Sequence, residues 1–153
     1  MGRVASLNVS DGGVPKLPVR SAEVTPDGVA GDQQRNRKYH GGPDRALCLW
    51  SLERIHGLQA EGHPVAPGST GENVTVAGLD WDSVTPGTRL RIGPVLAEVT
   101  AYTTPCRTIT RSFVDGRPGR VSQRTHPGWS RVYARVLEAG RVAEGDPVVL
   151  TRA

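Results

Sequence analysis

The amino-acid sequence predicts a mainly β fold in which short strands and tight turns form a barrel with one clear helix. The 153 residues include 19 glycines and 12 prolines, a density that interrupts helices. Apolar and polar residues alternate along several short runs, as they do in half-buried strands. A turn followed by a strand occurs twice with similar sequence, at residues 84–92 and 142–150. Two such turn–strand units fit a barrel of meandering strands better than a sheet of βαβ units.

The first third of the chain contains four segments whose structure can be predicted. Residues 4–9 alternate and predict a strand with its apolar side chains on one face. A second strand is predicted over residues 19–25, because a Pro-Asp-Gly turn follows it. Residues 31–43 are polar, basic and rich in glycine, which predicts a loop. Residues 46–50 are continuously apolar, and the run is short enough for a buried strand.

The clearest helix is predicted over residues 51–61. Ser51 can cap its first turn, and Leu52, Ile55 and Leu58 recur at helical spacing. Gly62 then provides a natural stop. The remaining strands are predicted at residues 72–76, 88–92, 95–101, 131–139 and 147–151.

Length and composition predict one soluble domain that spans residues 1–153. Hydrophobic residues make up 37% of the chain, enough for an independent core. The N-terminal residues lack the pattern of a signal peptide, and no apolar run approaches the ~20 residues that span a membrane. Two cysteines do not form a disulfide scaffold. We therefore expect a reduced, cytoplasmic protein without membrane contact; its oligomeric state stays open.

The basic excess of the chain indicates an anionic ligand. The net charge is +4, and only Lys16 and Lys38 are lysines, so arginine supplies most of the positive charge. Arginine suits bidentate recognition of phosphate and carboxylate groups. Aromatic residues are only 5% of the chain, too few for the stacking platforms of single-stranded nucleic acid. A small phosphorylated ligand is therefore favoured over specific nucleic-acid binding.

Residues 35–45 are the first candidate site. The segment holds four cationic side chains, the histidine His40 and the glycine pair Gly41 and Gly42. Paired glycines let backbone N–H groups approach an anion closely. The segment is either a phosphate pocket or a solvated basic loop with a turn, and composition alone leaves both interpretations open.

The two cysteines differ in their surroundings. Cys106 follows a predicted strand, lies in a polar stretch and precedes Arg107, so its thiol is expected to be partly exposed. It is either a reactive thiol and soft-metal ligand or an inert one. Cys48 lies between Leu47 and Leu49, which predicts core packing.

The four histidines do not form the closely spaced pairs of a zinc site. His56 is predicted on the helix surface, and His63 is an incidental residue of a loop. His126 could line a pocket. A catalytic pair of Cys106 with His40 or His126 stays open, because sequence does not establish proximity.

Four ordered motifs resemble those of MOSC domains, named for the C-terminal part of molybdenum cofactor sulfurase. They are Gly31-Asp32-Gln33, then the eight residues from His40 to Leu47, then Gly71-Glu72-Asn73-Val74, and finally Pro105-Cys106. The closing stretch from Tyr133 to Asp146 also resembles the end of the family. One departure is the stretch before Cys106, where many small bacterial relatives have Pro-Arg and this chain has Thr103 and Thr104.

The resemblance implies a mixed β-barrel with a few short helices, similar to the pyruvate kinase barrel domain. It implies that Cys106 is the catalytic residue and the ligand of molybdenum in a molybdenum-pterin cofactor. Residues expected to hold that cofactor are Arg37, Lys38, His40, Gly41, Gly42, Asp44, Arg45, Asn73, Thr104 and Arg107.

The activity implied by the resemblance is reduction of N-oxygenated substrates with electrons from a partner protein. Two alternatives stay open. Cys106 could carry a persulfide received from a sulfur-donor protein, or the barrel could serve as a cofactor-free enzyme or anion-binding module.

Overall fold

The strands of the protein close into a barrel beside one short α-helix. The computed structural model describes residues 1–32 and 42–151. The described strands are β1 (Gly2–Val9), β2 (Leu17–Val19), β3 (Ser21–Thr25), β4 (Gly28–Val29), β5 (Leu47–Ser51), β6 (Val74–Ala77), β7 (Arg89–Ile92), β8 (Val95–Tyr102), β9 (Val132–Glu138), β10 (Gly140–Ala143) and β11 (Pro147–Thr151). The α-helix is α1 (Leu52–Ala60), and short 3₁₀ segments lie at Pro43–Arg45, Trp81–Ser83, Arg107–Ser112 and Pro118–Val121.

Seven strands form the barrel in the order β11-β7-β8-β9-β5-β6-β1, and β1 pairs with β11 to close it. Strand β2 extends the sheet beyond β1, while β10, β3 and β4 form a small second sheet. Strands β5 and β6 pair in parallel, and α1 belongs to the crossover between them. The other described barrel pairs are antiparallel. The predicted mainly β, mixed barrel with a few short helices is confirmed.

The barrel interior is filled by the apolar side chains that alternate along its strands. Leu90 and Ile92 on β7 are almost completely buried, and so are Val132 and Ala134 on β9. The polar residues between them turn to the other face of each strand. Strand β5 differs because all of its residues are buried, so its outer face is covered as well.

Helix α1 begins and ends as its sequence predicts. The Ser51 hydroxyl accepts a hydrogen bond from the backbone N–H of Arg54, which caps the first turn. Ile55 and Leu58 are completely buried, whereas His56 is exposed as expected. At nine residues, α1 is too short to cross a membrane, and no other helix of the described residues is long and apolar enough.

The repeated turn–strand units, residues 84–92 and 142–150, become neighbours in the barrel. Strands β7 and β11 pair antiparallel, with Leu90 opposite Leu150. Each is preceded by a glycine with positive φ, Gly87 at 93° and Gly145 at 91°. The similarity in sequence therefore reflects two equivalent entries into adjacent strands.

Two predicted strands differ from the observed ones. Strand β1 contains a register shift between Val4 and Ser6, so the simple alternation predicted for residues 4–9 is wrong. Consecutive residues Leu7 and Asn8 are both buried as a result. The strand predicted over residues 19–25 is two strands, because β2 pairs with β1 and β3 pairs with β10.

Replacing Gly68 with alanine is expected to destabilise the protein by about 3 kcal/mol or more. Gly68 has φ +83°, and a Cβ there would collide with the backbone oxygen of Lys16. Gly87 is the matched control, because it also has positive φ but has open space around a built Cβ. Gly87→Ala should cost only about 1 kcal/mol. Urea unfolding followed by tryptophan fluorescence measures both; equal losses would contradict the collision.

Candidate functional site

Tyr133 lies where several of the sequence motifs meet. It stands opposite Cys48 in the β5–β9 ladder, so the two side chains share one face of the sheet. The Arg45 guanidinium lies over the Tyr133 ring, 5.2 Å from its centroid. Burial raises the pKa of Tyr133 to about 12, the Cys48 and Cys106 thiols add to that rise, and Arg131 and Arg45 oppose it. The hydroxyl therefore stays protonated at neutral pH, within electrostatic range of Arg45 and Cys106.

Cys106 is a free cysteine with a half-buried thiol, as its polar surroundings predict. It follows β8 and directly precedes the 3₁₀ segment Arg107–Ser112. Its Sγ lies 2.8 Å from Oγ1 of Thr108, close enough for a hydrogen bond. Thr104 and Arg107, on either side of it, are both exposed. The thiol is thus reachable from solvent between polar neighbours.

The glycine-rich motif is only partly described. Of its predicted ligand-binding residues, Arg37, Lys38, His40 and Gly41 lie outside the described residues. Gly42 is exposed, with φ +94° and open space around a built Cβ. The backbone at this position therefore has the conformation and the access that an approaching anion requires.

Asp44 makes contacts other than those expected of a cofactor ligand. One oxygen of its carboxylate lies 3.6 Å from Nη1 of Arg135, and its backbone oxygen accepts a hydrogen bond from the Thr100 hydroxyl. These contacts fasten the 3₁₀ segment Pro43–Arg45 onto β8 and β9. Asp44 therefore helps to hold the segment that carries Arg45, whose guanidinium lies over Tyr133.

Asn73 corrects an expectation from the sequence, because it holds the protein together where phosphate binding was predicted. Its side chain is almost completely buried. Oδ1 accepts a hydrogen bond from the backbone N–H of Cys48 at 3.0 Å, and Nδ2 donates to Oδ2 of Asp32 at 2.7 Å. Because both ends of the Asn73 side chain form hydrogen bonds, this residue links the motif that contains Asp32 to strand β5.

A buried ion pair between Lys16 and Asp32 lies next to Asn73. The Lys16 ammonium donates to both oxygens of Asp32, at 2.7 and 2.6 Å, and the backbone N–H of Ser10 donates to Oδ1 of the same carboxylate. The side chains of Lys16 and Asp32 are only 3% and 5% exposed. Sequence reasoning missed Lys16, since a lysine is almost never fully buried unless it is paired.

Two further charged side chains, Glu72 and Arg131, are also buried. Glu72 is completely buried and accepts hydrogen bonds from the hydroxyls of Thr70 and Thr75. Burial raises the pKa of Glu72, while backbone N–H groups, Thr75 and the Arg131 charge oppose the rise. Nη1 of Arg131 donates to the backbone oxygen of Thr70. The Arg131 charge also opposes the rise that burial causes in the pKa values of Cys48 and Tyr133.

Three buried side-chain atoms within residues 1–32 and 42–151 have no hydrogen-bond partner. They are Nε of Arg131, Oγ1 of Thr103 and Nη1 of Arg120. Thr103 lies three residues before Cys106, and its backbone N–H donates to the backbone oxygen of Arg131. Buried donors are rarely left unsatisfied in native proteins, so such atoms indicate a missing water or ligand group.

The buried Cys48 has polar rather than apolar neighbours on its own face of the sheet. Strand alternation turns its side chain away from those of Leu47 and Leu49 and onto the face that carries Tyr133, while its backbone N–H donates to Asn73. Burial raises the pKa of its thiol to about 11. Cys48 is therefore shielded and unreactive, as predicted, but it belongs to the polar outer face of the barrel and does not extend the apolar core.

His63 is a packing residue, so its interpretation as an incidental loop residue is wrong. The ring is 8% exposed and meets Phe113 edge to face, with 5.3 Å between centroids. Its Nδ1 accepts a hydrogen bond from the backbone N–H of Val114. His126 is exposed and does not line the described cavity formed by Trp81, Asp82, Val84, Tyr102, Gln123, Pro127, Gly128 and Ser130.

The described residues do not contain a metal site built from several protein ligands. No three or more histidine, cysteine or acidic side chains among residues 1–32 and 42–151 converge as such a site requires. A metal near Cys106 would then have a single thiolate from these residues. Thiolate is a soft donor that suits a soft metal whose other ligands come from a cofactor.

Comparison with known proteins agrees with the fold and the motifs. Residues 36–149 match the family model of the MOSC domain. The chain is 33% identical over 135 residues to the uncharacterized protein YflK of Bacillus subtilis, covering 87% of this chain and 60% of YflK. It is 35% identical over 134 residues to protein YiiM of Escherichia coli, covering 83% of this chain and 58% of YiiM. The chain thus spans about 60% of the length of these curated relatives.

A solved structure shows the same architecture. The crystal structure of YiiM from Geobacillus stearothermophilus superposes with a TM-score of 0.76 and 26% sequence identity. The superposition covers 99% of this chain and 76% of that structure. Together, the closed mixed barrel, the ordered motifs and the family match over most of the chain show that this protein belongs to the MOSC-domain family.

Proposed function

We propose that this protein binds a molybdenum-pterin cofactor at Cys106 and reduces N-oxygenated substrates with electrons from another protein. One observation supports the proposal above all: the Arg45 guanidinium lies over the Tyr133 ring, and the accessible Cys106 thiol is near enough to contribute to the raised pKa of that tyrosine. The chain spans about 60% of the length of its curated relatives. Any activity of those full-length proteins therefore belongs to this chain only as part of the proposal.

The residues present fit such a cofactor. Cys106 supplies a soft, reachable sulfur donor. Arg45, Arg107 and the open Gly42 backbone offer the charge and N–H access that a pterin phosphate needs. The unsatisfied Oγ1 of Thr103, three residues before the cysteine, is a further hydrogen-bonding group. The proposal also includes Arg37, Lys38, His40, Gly41 and Thr104 as cofactor contacts.

The proposed reaction cleaves an N–O bond. An N-hydroxylated amine takes up two electrons and two protons and gives the amine and one water. A bound molybdenum-pterin cofactor would supply the two-electron chemistry. Tyr133 keeps its proton at neutral pH, and Arg45 is exposed above its ring. The guanidinium would supply positive charge to a bound substrate whose departing oxygen gains electron density.

The test compares protein purified from a normal host with protein from a host that cannot make the pterin cofactor. We expect molybdenum by elemental analysis, a fluorescent pterin product after oxidation, and reduction of an N-hydroxylated purine with reduced methyl viologen. All three should be missing from the second preparation. Equal activity in both preparations, or a pterin-free protein from the normal host, would overturn the proposal.

The second candidate is a sulfur carrier, favoured by the half-exposed thiol and its Thr108 hydroxyl contact. In this reaction the Cys106 thiolate attacks the outer sulfur of a persulfide on a donor protein, and the donor's cysteine thiolate leaves. Intact-protein mass spectrometry distinguishes the two candidates, because a persulfide adds the mass of one sulfur atom. A stable persulfide together with absent molybdenum and pterin would favour the carrier.

A further inference from the structure

The positive charge of the protein is concentrated in the segment that begins beside Cys106. Residues 103–131, called the basic segment below, contain six arginines and a single acidic residue, Asp115, a net charge of +5. The whole chain has a net charge of +4, so the remaining residues together sum to −1. The segment is thus a strongly basic part of an otherwise nearly neutral protein.

The arginines of the basic segment differ from those on the barrel strands in their partners. Arg89, Arg91, Arg135 and Arg141, on β7, β9 and β10, each form an ion pair with a carboxylate. Four arginines of the basic segment are exposed, and among the described residues their guanidinium groups have no acidic partner. These four are Arg107, Arg111, Arg117 and Arg124.

The surface that carries these charges suits a protein partner better than a nucleic acid. The aromatic residues of the segment are occupied: Phe113 is buried against His63, and Trp129 lies under the guanidinium groups of Arg54 and Arg120. Neither Phe113 nor Trp129 is classed as exposed, and the segment contains no other phenylalanine, tyrosine or tryptophan to stack on bases. Arginine is enriched in protein–protein interfaces, and Val114 of the same segment adds a 70% exposed apolar side chain.

We propose that the basic segment is the docking surface for an acidic electron-transfer protein. This inference rests on the proposed function, because that function requires a partner that delivers electrons near Cys106. Unpaired exposed arginines would form new ion pairs with a carboxylate-rich surface, and the positive field would steer the encounter. Docking here places the donor over the segment that begins three residues before the cysteine.

The test measures binding of a plant-type ferredoxin, a strongly acidic redox protein, by titration at low ionic strength. The variant Arg111→Glu/Arg117→Glu reverses two exposed arginines that are outside the proposed cofactor contacts. We expect its Kd for ferredoxin to rise by about tenfold or more, because charge reversal replaces attraction by repulsion. Added salt should weaken binding by the unmodified protein much more than binding by this variant.

The matched control is Arg3→Glu/Arg20→Glu. Arg3 and Arg20 are also exposed, lie outside the basic segment and form no ion pair with a described residue, so the change in net charge is identical. This control should change the Kd by less than about twofold. Equal losses in the two double variants would overturn the proposal, and so would the absence of ferredoxin binding. Salt-resistant binding of duplex DNA that displaces ferredoxin would identify a nucleic-acid surface instead.

Substrate reduction separates this inference from the proposed function. With reduced methyl viologen, a small donor that needs no docking surface, Arg111→Glu/Arg117→Glu should retain the rate of the unmodified protein. With ferredoxin as the donor, its rate at limiting donor should fall by about tenfold, in proportion to the Kd. If no preparation reduces the substrate with viologen, the proposed function fails, while the ferredoxin titrations still decide whether the surface exists.

Discussion

Cys106→Ser is expected to remove the molybdenum and the pterin from the purified protein and to abolish reduction of N-hydroxylated substrates. A hydroxyl is a poor ligand for a soft metal, whereas the thiolate of Cys106 is a strong one. Stability should hardly change, by less than about 1 kcal/mol, because the side chain is half-buried and a serine can keep the Thr108 contact. Elemental analysis, pterin fluorescence and urea unfolding measure the three quantities.

Cys48→Ser is the matched control for that experiment. It removes the other thiol and leaves Cys106 in place, so cofactor content and turnover should stay near those of the unmodified protein. We expect a stability loss of about 1 kcal/mol, at the low end for a buried hydroxyl, because the side chain faces polar groups. If Cys106→Ser retains its cofactor while Cys48→Ser loses it, the assignment of the metal ligand is wrong.

A thiol reagent gives a reading that does not depend on the cofactor. With its pKa at about 11 and its side chain buried, Cys48 should not react at neutral pH in the folded protein. Cofactor-free protein should therefore show one reactive thiol, and Cys106→Ser should show none until it is unfolded. Two rapidly reacting thiols in the folded protein would contradict the burial of Cys48.

Lys16→Met is expected to cost about 3–5 kcal/mol of the free energy of unfolding, the largest stability loss among these variants. It removes the Lys16 ammonium from the buried Asp32 carboxylate, which keeps the donors Ser10 and Asn73. Arg141→Met is the control, because it breaks the exposed ion pair with Glu23 and should cost less than about 1 kcal/mol. Urea unfolding at neutral pH measures both variants.

The double variant Lys16→Met/Asp32→Asn shows whether the lost charge pairing causes that effect. Replacing the carboxylate by a neutral amide also removes the buried negative charge that Lys16 neutralises, so the double variant should be more stable than Lys16→Met alone. If the two substitutions simply add, the cost of Lys16→Met comes from packing. The charge argument would then be wrong for this site.

These predictions concern one feature of the molecule, the buried polar face on the outside of strands β5 and β9. Asn73 ties the start of β6 to β5 and to the Lys16–Asp32 pair. Arg131 and Tyr133 continue the same face towards Arg45 and Cys106. The candidate site therefore lies on a charged, covered face of the sheet, whereas the barrel interior is filled by apolar side chains.

Much of the fold could be predicted from sequence because it depends on local patterns. Helix α1 follows from the Ser51 cap and the spacing of Ile55 and Leu58, and β11 is observed over the same residues as predicted. The register shift in β1 could not be predicted, because it depends on how β6 pairs with Val4 and Ser6. Periodicity along a strand does not contain that information.

The sequence by itself determined that this protein is a β-barrel with a polar, half-exposed cysteine after a strand and an ordered set of family motifs. Only the tertiary structure decided what the motif residues do. Asn73 contacts Asp32 across 41 positions of sequence, and Tyr133 contacts Arg45 although the two are far apart in sequence. Burial of Lys16 and Arg131 depends on the segments that cover them, and such long-range contacts form only when the barrel closes.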